Sequence, residues 1–536
     1  MATNVGAAPK WPRSWETHDY NCICLKQASH DFTQQASLHG LRYISDTSIS
    51  RLERWFWMIA CLVAGSFAVH FIVNMCYDWV TSPVILTLSP QTTDLKDIPF
   101  PAVTICNINK VRKSVALDIL NRSTIWSASI ERKLLNDYCH RPQDPRDVSI
   151  NENEIPWATV QEFLFKVSQN CSKMMVACFW RGEKFNCNKL FAPSLTDDGF
   201  CCAFNVVKKE YLFNNAGWTG LNHTVPFDSV DWTMEKGYPE GTPPYTLPWR
   251  PWGPGSHKGL KVVLDAELDE FFCSTEVSVG FKLAVHNPKE TPKMKAYAST
   301  VQPGHETRVV VEPAIWTSSR EQLQNVPLDK RNCLFHNEKS LAFYRTYSFR
   351  NCMLECETNN TLQSCGCVFF YMSRDESVKV CGRNESKCAL KALNSMASVD
   401  DGDPYTSLEG ENFTKGCGCI PGCFSLTYRK RLSTTILNDK ASFIPKNIMG
   451  GKNSTYFSKN MAIVNVYFAE AHFTSIHRAL LYTVTDFLAN TGGLLGLFMG
   501  FSFLTAVEAF YFLTLRIWCF VVRNRQIPDV EPSMRP

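Results

Sequence analysis

The chain has 536 residues, 45% of them apolar, and a formal charge of +4: enough apolar content for a sizeable core, too little net charge for a nucleic-acid binder. Of its 23 cysteines, eighteen lie between Cys106 and Cys423, an even number in one continuous stretch, as an oxidised, disulfide-linked extracellular domain requires. No HExxH, GxSxG or P-loop pattern occurs and the histidines of this stretch sit apart, so nothing argues for an enzyme.

Residues 1–54 lack an apolar run of the signal-peptide kind, so the first apolar segment is expected to target the chain. Cys22 and Cys24 read as cytosolic thiols, with palmitoylation as the alternative. Trp55 to Tyr77 carries no formal charge and is long enough to cross a bilayer as one helix. Arg51 and Arg54 precede it and Asp78 follows, which places the N-terminus in the cytosol. His70 and Asn74, near its outer end, are expected to make interhelical or interfacial polar contacts.

Beyond the span, Phe100-Pro101-Ala102-Val103-Thr104-Ile105-Cys106-Asn107 has a β-branched run behind a proline and predicts a strand. A second short strand is predicted around Gly199-Phe200-Cys201-Cys202-Ala203-Phe204-Asn205. Residues 239–254, dense in Pro, Gly and Trp, predict a long loop, and Lys261–Leu268 and Glu276–Ala284 predict strands. From Cys333 to Cys423 the cysteines cluster as Cys352-x3-Cys356, Cys365-Gly-Cys367, Cys381, Cys388, Cys417-Gly-Cys419 and Cys423. Cys352 and Cys356 share one face if helical, and Cys365 and Cys367 should take different partners, because cysteines one residue apart rarely bridge. Zinc is the competing use of such a cluster, but free thiolates do not persist outside the cell. Seven sequons, at Asn121, Asn170, Asn222, Asn359, Asn384, Asn412 and Asn453, all fall between the two apolar segments, as glycosylation of an ectodomain requires. Met461–Phe468 is expected to be an alternating strand leading directly back to the membrane.

The second apolar segment, Leu488 to Val522, is about 50 Å long as a straight helix, against a hydrocarbon core of about 30 Å, so it must tilt, break or leave the bilayer. Arg523 and Arg525 follow it and place the C-terminus in the cytosol. Gly493, Gly496 and Gly500 fall on one helical face, and Gly500-Phe501-Ser502 is where non-helical backbone is expected. Glu508, two turns deeper, is a carboxylate that must face water, an ion or a partner charge. These features read as a pore. Gly492, Gly496 and Gly500 equally fit a GxxxG packing face, and Ser502 equally fits a hydroxyl bonded back to its own helix.

Taken together, Ser37-Leu38-His39-Gly40, FPAVTICN, the CxxxC and CxC cluster, CGCIPGCFSLTY from Cys417 and TGGLLGLFMGFSFLTAVE from Thr491 resemble the degenerin and epithelial sodium channel family over nearly the whole chain. Gly-x-Cys-Cys-x-Phe-Asn at Gly199–Asn205 resembles its insect pickpocket branch. The resemblance implies a membrane protein with two transmembrane helices and a large disulfide-rich α+β extracellular domain, assembled as a homo- or heterotrimer. The regions it implies are a cytosolic segment 1–54, a span 55–77, an ectodomain 78–481, a pre-pore segment and pore-lining span 482–522 and a cytosolic tail 523–536. The implied function is a subunit of a plasma-membrane, sodium-permeable, amiloride-sensitive channel that voltage does not gate, opened by a chemical, osmotic or mechanical stimulus from outside, with the sodium ion as permeant species and no cofactor. A non-conducting accessory or receptor subunit is the alternative.

Residue by residue, Gly500, Phe501 and Ser502 match the family's Gly-x-Ser filter, Ala489 its degenerin position with Asn490 beside it, and Gly496 a site associated with amiloride block. His39 and Gly40 match a cytosolic gating motif, and Glu508 a pore-end carboxylate. The chain departs at Tyr511 and Asn490, where acid-sensing relatives carry acids, and at Met372-Ser373, which lacks the proline often found after the CxC strand. Proton gating and the usual outer cation site therefore do not carry over on these residues.

Overall fold

The computed structural model describes residues 32–35, 37–122, 126–141, 155–214, 225–375, 377–397, 417–438, 452–516 and 518; Cys22, Cys24, Asn222, Asn412, Arg523 and Arg525 lie outside them. The chain forms two compact units, Leu86–Ala479 and the remainder, Met1–Ile85 with Leu480–Pro536.

The strands of the two larger sheets, in chain order, are β1 (Val84–Asp94), β2 (Ala102–Asn107), β3 (Met175–Trp180), β4 (Glu183–Phe185), β5 (Phe191–Thr196), β6 (Gly199–Phe204) and β7 (Leu260–Asp265). They continue with β8 (Phe281–His286), β9 (Ser299–Val301), β10 (His305–Ser318), β11 (Ser425–Ile436), β12 (Met461–Phe468) and β13 (His472–Leu480). Among the described residues, an eight-stranded sheet runs β1-β13-β10-β12-β7-β3-β4 with β11 paired to β10, and a five-stranded sheet runs β9-β8-β2-β6-β5. The principal helices are α1 (Arg51–Thr81), α2 (Phe349–Cys365), α3 (Arg383–Ala397), α4 (Val484–Met499) and α5 (Phe503–Tyr511).

Two strand expectations need correction. Met461–Phe468 neither alternates nor leads directly to the last helices. As β12 it is buried on both faces except at Tyr467, pairing parallel to β10 and antiparallel to β7, and β13 intervenes before α4. The predicted strand 276–284 starts only at Phe281, because Val277 and Val279 are exposed and Gly280 turns the chain at φ 121°. The loop 239–254 contains no helix or strand, yet its Trp249 is 2% exposed and packs within 5.5 Å of Trp180 and 5.4 Å of Phe204. A loop residue of this kind supplies core without any periodicity to announce it.

Why Gly199–Asn205 has its composition is visible in the contacts. Gly199 has φ 99°, and a Cβ there would lie 2.5 Å from the Tyr138 hydroxyl. Cys201 and Cys202, pointing to opposite faces of β6, bridge Cys106 and Cys171. Asn205 sits in left-handed conformation at φ 58°; its amide donates to the Phe100 carbonyl at 2.5 Å and its Oδ1 accepts from the Trp249 N–H at 2.7 Å.

All eighteen cysteines between Cys106 and Cys423 are paired, the remaining bridges being Cys139–Cys273, Cys178–Cys187, Cys333–Cys423, Cys352–Cys419, Cys356–Cys417, Cys365–Cys388 and Cys367–Cys381. Cys352 and Cys356, one turn apart on α2, clamp that helix to the Cys417-Gly-Cys419 segment by two consecutive bridges. Ser348 caps α2 by accepting from the Asn351 N–H, and Gly366, left-handed at φ 69°, ends it. In the five-stranded sheet, the fully buried Asp198 carboxylate of the β5–β6 turn is gripped by Lys110 at 2.8 Å and by Lys282 of β8 at 3.0 Å. The five sequon asparagines among the described residues are all exposed; Asn170 and Asn453 also cap short helices.

In the other unit, α1 begins with a capping box between Ser50 and Glu53 and runs 31 residues, about 46 Å at 1.5 Å per residue. It is long and apolar enough to cross a membrane. His70 and Asn74 hydrogen-bond each other along α1 at 3.2 Å. α4 and α5 are together apolar enough for a span but are bent by 71° at the break between them.

Candidate functional site

The break is built from three residues. Gly500 ends α4 in left-handed conformation, φ 67°, with its N–H on the Gly496 carbonyl at 2.9 Å. Phe501 donates its N–H to the Leu495 carbonyl at 3.3 Å, and its own carbonyl lies where a Cβ on Gly496 would meet it at 3.6 Å. Ser502 is extended and caps α5: its hydroxyl accepts from the Thr505 N–H at 3.2 Å, and Thr505 Oγ1 accepts from the Ser502 N–H at 3.2 Å. This reciprocal capping satisfies backbone groups that a broken helix in an apolar medium must not leave bare. Gly500 therefore leaves the helical stripe, which on α4 reduces to Gly492, Gly493 and Gly496.

A segment from before α1 reaches this break. His39 donates its backbone N–H to the Met499 carbonyl at 3.2 Å, and its imidazole fills the space beside Gly500 so closely that a Cβ there would lie 2.2 Å from Nδ1. Gly40 has φ 85°, and a Cβ on it would lie 2.7 Å from Cys61 Sγ of α1. Tyr43, one helical turn further, stacks on Trp57 with ring centroids 4.6 Å apart. Ser37 ties the segment to α5: its hydroxyl lies 2.8 Å from Thr505 Oγ1, and Glu508 Oε2 accepts from both its hydroxyl at 3.0 Å and its N–H at 3.2 Å. Thr505 is completely buried.

The structure thus gathers His39, Gly40, Gly500, Phe501, Ser502 and Glu508 around one break. Ala489 and Asn490 stand apart, exposed on α4 about 16 Å up the helix from Gly500 at 1.5 Å per residue. Gly496 lies one turn before the break. α1 and α4 pack through aromatic pairs, Trp79 on Phe487 at 4.5 Å and Phe71 on Phe498 at 6.0 Å, and not through glycine. A Cβ on Gly492 or Gly493 would meet nothing within 4 Å among the described residues. No chemistry was expected of Ser37 or Thr505. The S-x-x-T spacing directly after Gly500 is the signal that announces the second cap.

A profile of the amiloride-sensitive sodium channel family matches residues 32–512. The chain is similar to Pickpocket protein 28 of Drosophila melanogaster, 36% identical over 94% of this chain and 81% of that protein. It is also similar to the sodium channel protein Nach of Drosophila melanogaster, 24% identical over 92% and 88% of the two chains, and to acid-sensing ion channel 1 of Gallus gallus, 25% identical over 89% and 82%. Proteins of this family are ion channels of the plasma membrane, oligomers of related subunits, and not enzymes. Matched from Phe32 to Phe512, with one relative at 36% identity along almost its full length, the chain belongs to the amiloride-sensitive sodium channel family.

Proposed function

We propose that the protein is a subunit of a sodium-permeable, amiloride-sensitive, voltage-independent channel opened by an extracellular stimulus. In this reading α1 and the bent α4–α5 pair cross the plasma membrane, both chain ends are cytosolic, the disulfide-rich unit is extracellular, and three related subunits surround the path. The exposure of all five described sequons and the pairing of eighteen cysteines support that orientation.

The carrying observation is the capped break at Gly500–Ser502. Non-helical backbone at membrane depth is tolerated against protein or around water, and here it adjoins a helix face whose Gly492 and Gly493 no described residue covers. Three copies of such a break place carbonyl oxygens in a ring, and a ring of oxygens that replaces part of sodium's hydration shell discriminates by geometry and field strength. Ser502 is then both cap and filter element, since its hydroxyl oxygen retains a second lone pair. Glu508 supplies a carboxylate ring that favours cations, positioned by Ser37. His39 and Gly40 brace the break, Ala489 and Asn490 occupy the gate region and Gly496 the region of amiloride block.

Recording sodium current after expression alone and with related subunits tests the reading. Amiloride-sensitive current is expected, and Ser502→Cys should change ion preference or make conductance sensitive to soft metal ions. Absence of sodium current in every combination would leave the non-conducting accessory subunit as the better account.

A further inference from the structure

The disulfide-rich unit contains a cavity of about 610 Å³, in the size range of small-molecule sites, bounded by β10, β11, the start of α2 and the 232–235 and 287–290 loops. Nothing in the permeation reading uses it. Its walls are aromatic, with Trp232, Trp316 and Tyr347 all under one-tenth exposed. Of its charged lining groups, Glu235 is bound to Arg320 and His336 and Arg429 is exposed, while Glu290 and Arg350 stand beside each other with opposite charge. They are poorly matched to each other: Arg350 Nε stands 3.9 Å from Glu290 Oε2, beyond hydrogen-bond distance.

Arg350 stacks over Tyr297 at 4.6 Å and makes no hydrogen bond among the described residues, so its fork of donors is open. Glu290 is buried, with Ser348 beside it; burial pushes its carboxyl upward, opposed by the Arg350 charge. The other basic group deep in the wall, Lys289, is already held by Asp231 at 2.6 Å. Three further lining groups carry a buried polar atom with no partner among the described residues: Asn351 Oδ1, Ser425 Oγ and Trp232 Nε1. Asn351 and Trp232 are 1% and 2% exposed, so bulk water does not satisfy them. Such orphans are rare in native interiors and mark places where a ligand or ordered water completes the bonding.

We propose that this cavity binds a free α-amino acid with an aromatic side chain, its carboxylate on the fork of Arg350, its ammonium on Glu290 and its ring among Trp232, Trp316 and Tyr347. The closeness of Glu290 and Arg350 decides between ligand classes. A peptide separates its two terminal charges by its length, whereas a free amino acid carries both on one carbon. Charge-assisted, bidentate bonds of this kind are the strong ones, and planar aromatic walls favour an aromatic body.

The test is calorimetric titration of the purified full chain in detergent, disulfides intact, with L-tryptophan, tryptamine and indole-3-propionate. These probes share the indole and differ only in carrying both charges, the ammonium alone or the carboxylate alone. Saturable binding of tryptophan is expected, with each single-charge probe weaker by about tenfold or more, the worth of one charge-assisted bond. Arg350→Gln should weaken tryptophan and indole-3-propionate by a similar factor and spare tryptamine, and Glu290→Gln should do the reverse. Lack of saturable tryptophan binding, a single-charge probe that binds as tightly as tryptophan, or binding that neither substitution alters would each overturn the assignment. If one variant fails to elute as the folded protein, the three-probe comparison on the unsubstituted chain decides alone.

Discussion

At Gly500 two requirements coincide, a left-handed backbone and the space taken by the His39 imidazole. Any side chain there costs about 1–2 kcal/mol in conformation alone, before the collision is counted. Gly500→Ala is therefore expected to reduce sodium current per surface-expressed channel sharply. Adding His39→Ala should restore only part of it, because the smaller residue removes the clash and not the backbone strain. Current normalised to surface biotinylation measures both. Asn205 shows the same logic in the other unit: asparagine tolerates φ 58°, and its amide alone can join the Phe100 carbonyl to the Trp249 N–H. The sequence marks Gly500, Asn205 and His39 as motif members; that His39 meets Gly500 and Trp249 meets Asn205 was not legible, since each partner arrives from far along the chain.

Elements were more legible than their partners. Ser50, Ser348 and Ser502 each open a helix by accepting a backbone N–H three residues on, a local rule. The bridging of α2 by Cys352 and Cys356 follows from their spacing, but that Cys419 and Cys417 are the partners required the fold. Removing one rung with Cys352→Ser and Cys419→Ser together is expected to cost about 2–5 kcal/mol and to lower surface delivery, read by thermal unfolding of the purified protein and by cell-surface labelling. On α4, Ala489 is exposed in the single chain. Added bulk there opposes closure of three such helices, so Ala489→Val should give a standing sodium current without stimulus; normal closing in a well-trafficked variant would contradict that.

For the whole molecule, stability against pH has an identifiable contributor in His286. It is buried on β8, with Nε2 2.9 Å from Thr104 Oγ1 and Nδ1 2.9 Å from the Asn287 carbonyl oxygen, and burial drops its pKa to about 4. The imidazole is thus neutral in the folded protein and takes up a proton on unfolding at any pH between about 4 and 6.5. Stability from this group is present above about pH 6.5 and is lost as pH falls toward 4, by on the order of 3 kcal/mol. Thermal unfolding of the purified protein from pH 7 to pH 4 should show this loss, and His286→Asn should flatten that part of the profile. The Asp198 carboxylate between Lys110 and Lys282 is a second buried commitment: Asp198→Asn leaves the Lys110 ammonium without its counter-charge, while Lys282 keeps Glu276, and is expected to destabilise by about 3–5 kcal/mol in the same assay.

What the sequence by itself determined was local or compositional. Apolar runs, cysteine parity, sequon placement, caps and the Gly500–Ser502 break depend on neighbouring residues and on the solvent each segment can tolerate. What only the tertiary structure decided was which distant groups meet: β12 at the centre of its sheet, Trp249 in the core from a loop, His39 against Gly500, Ser37 on Glu508, and Glu290 loosely facing Arg350. Such meetings are fixed by shape and by the need to satisfy buried polar groups across hundreds of residues, and no periodicity within one stretch encodes them.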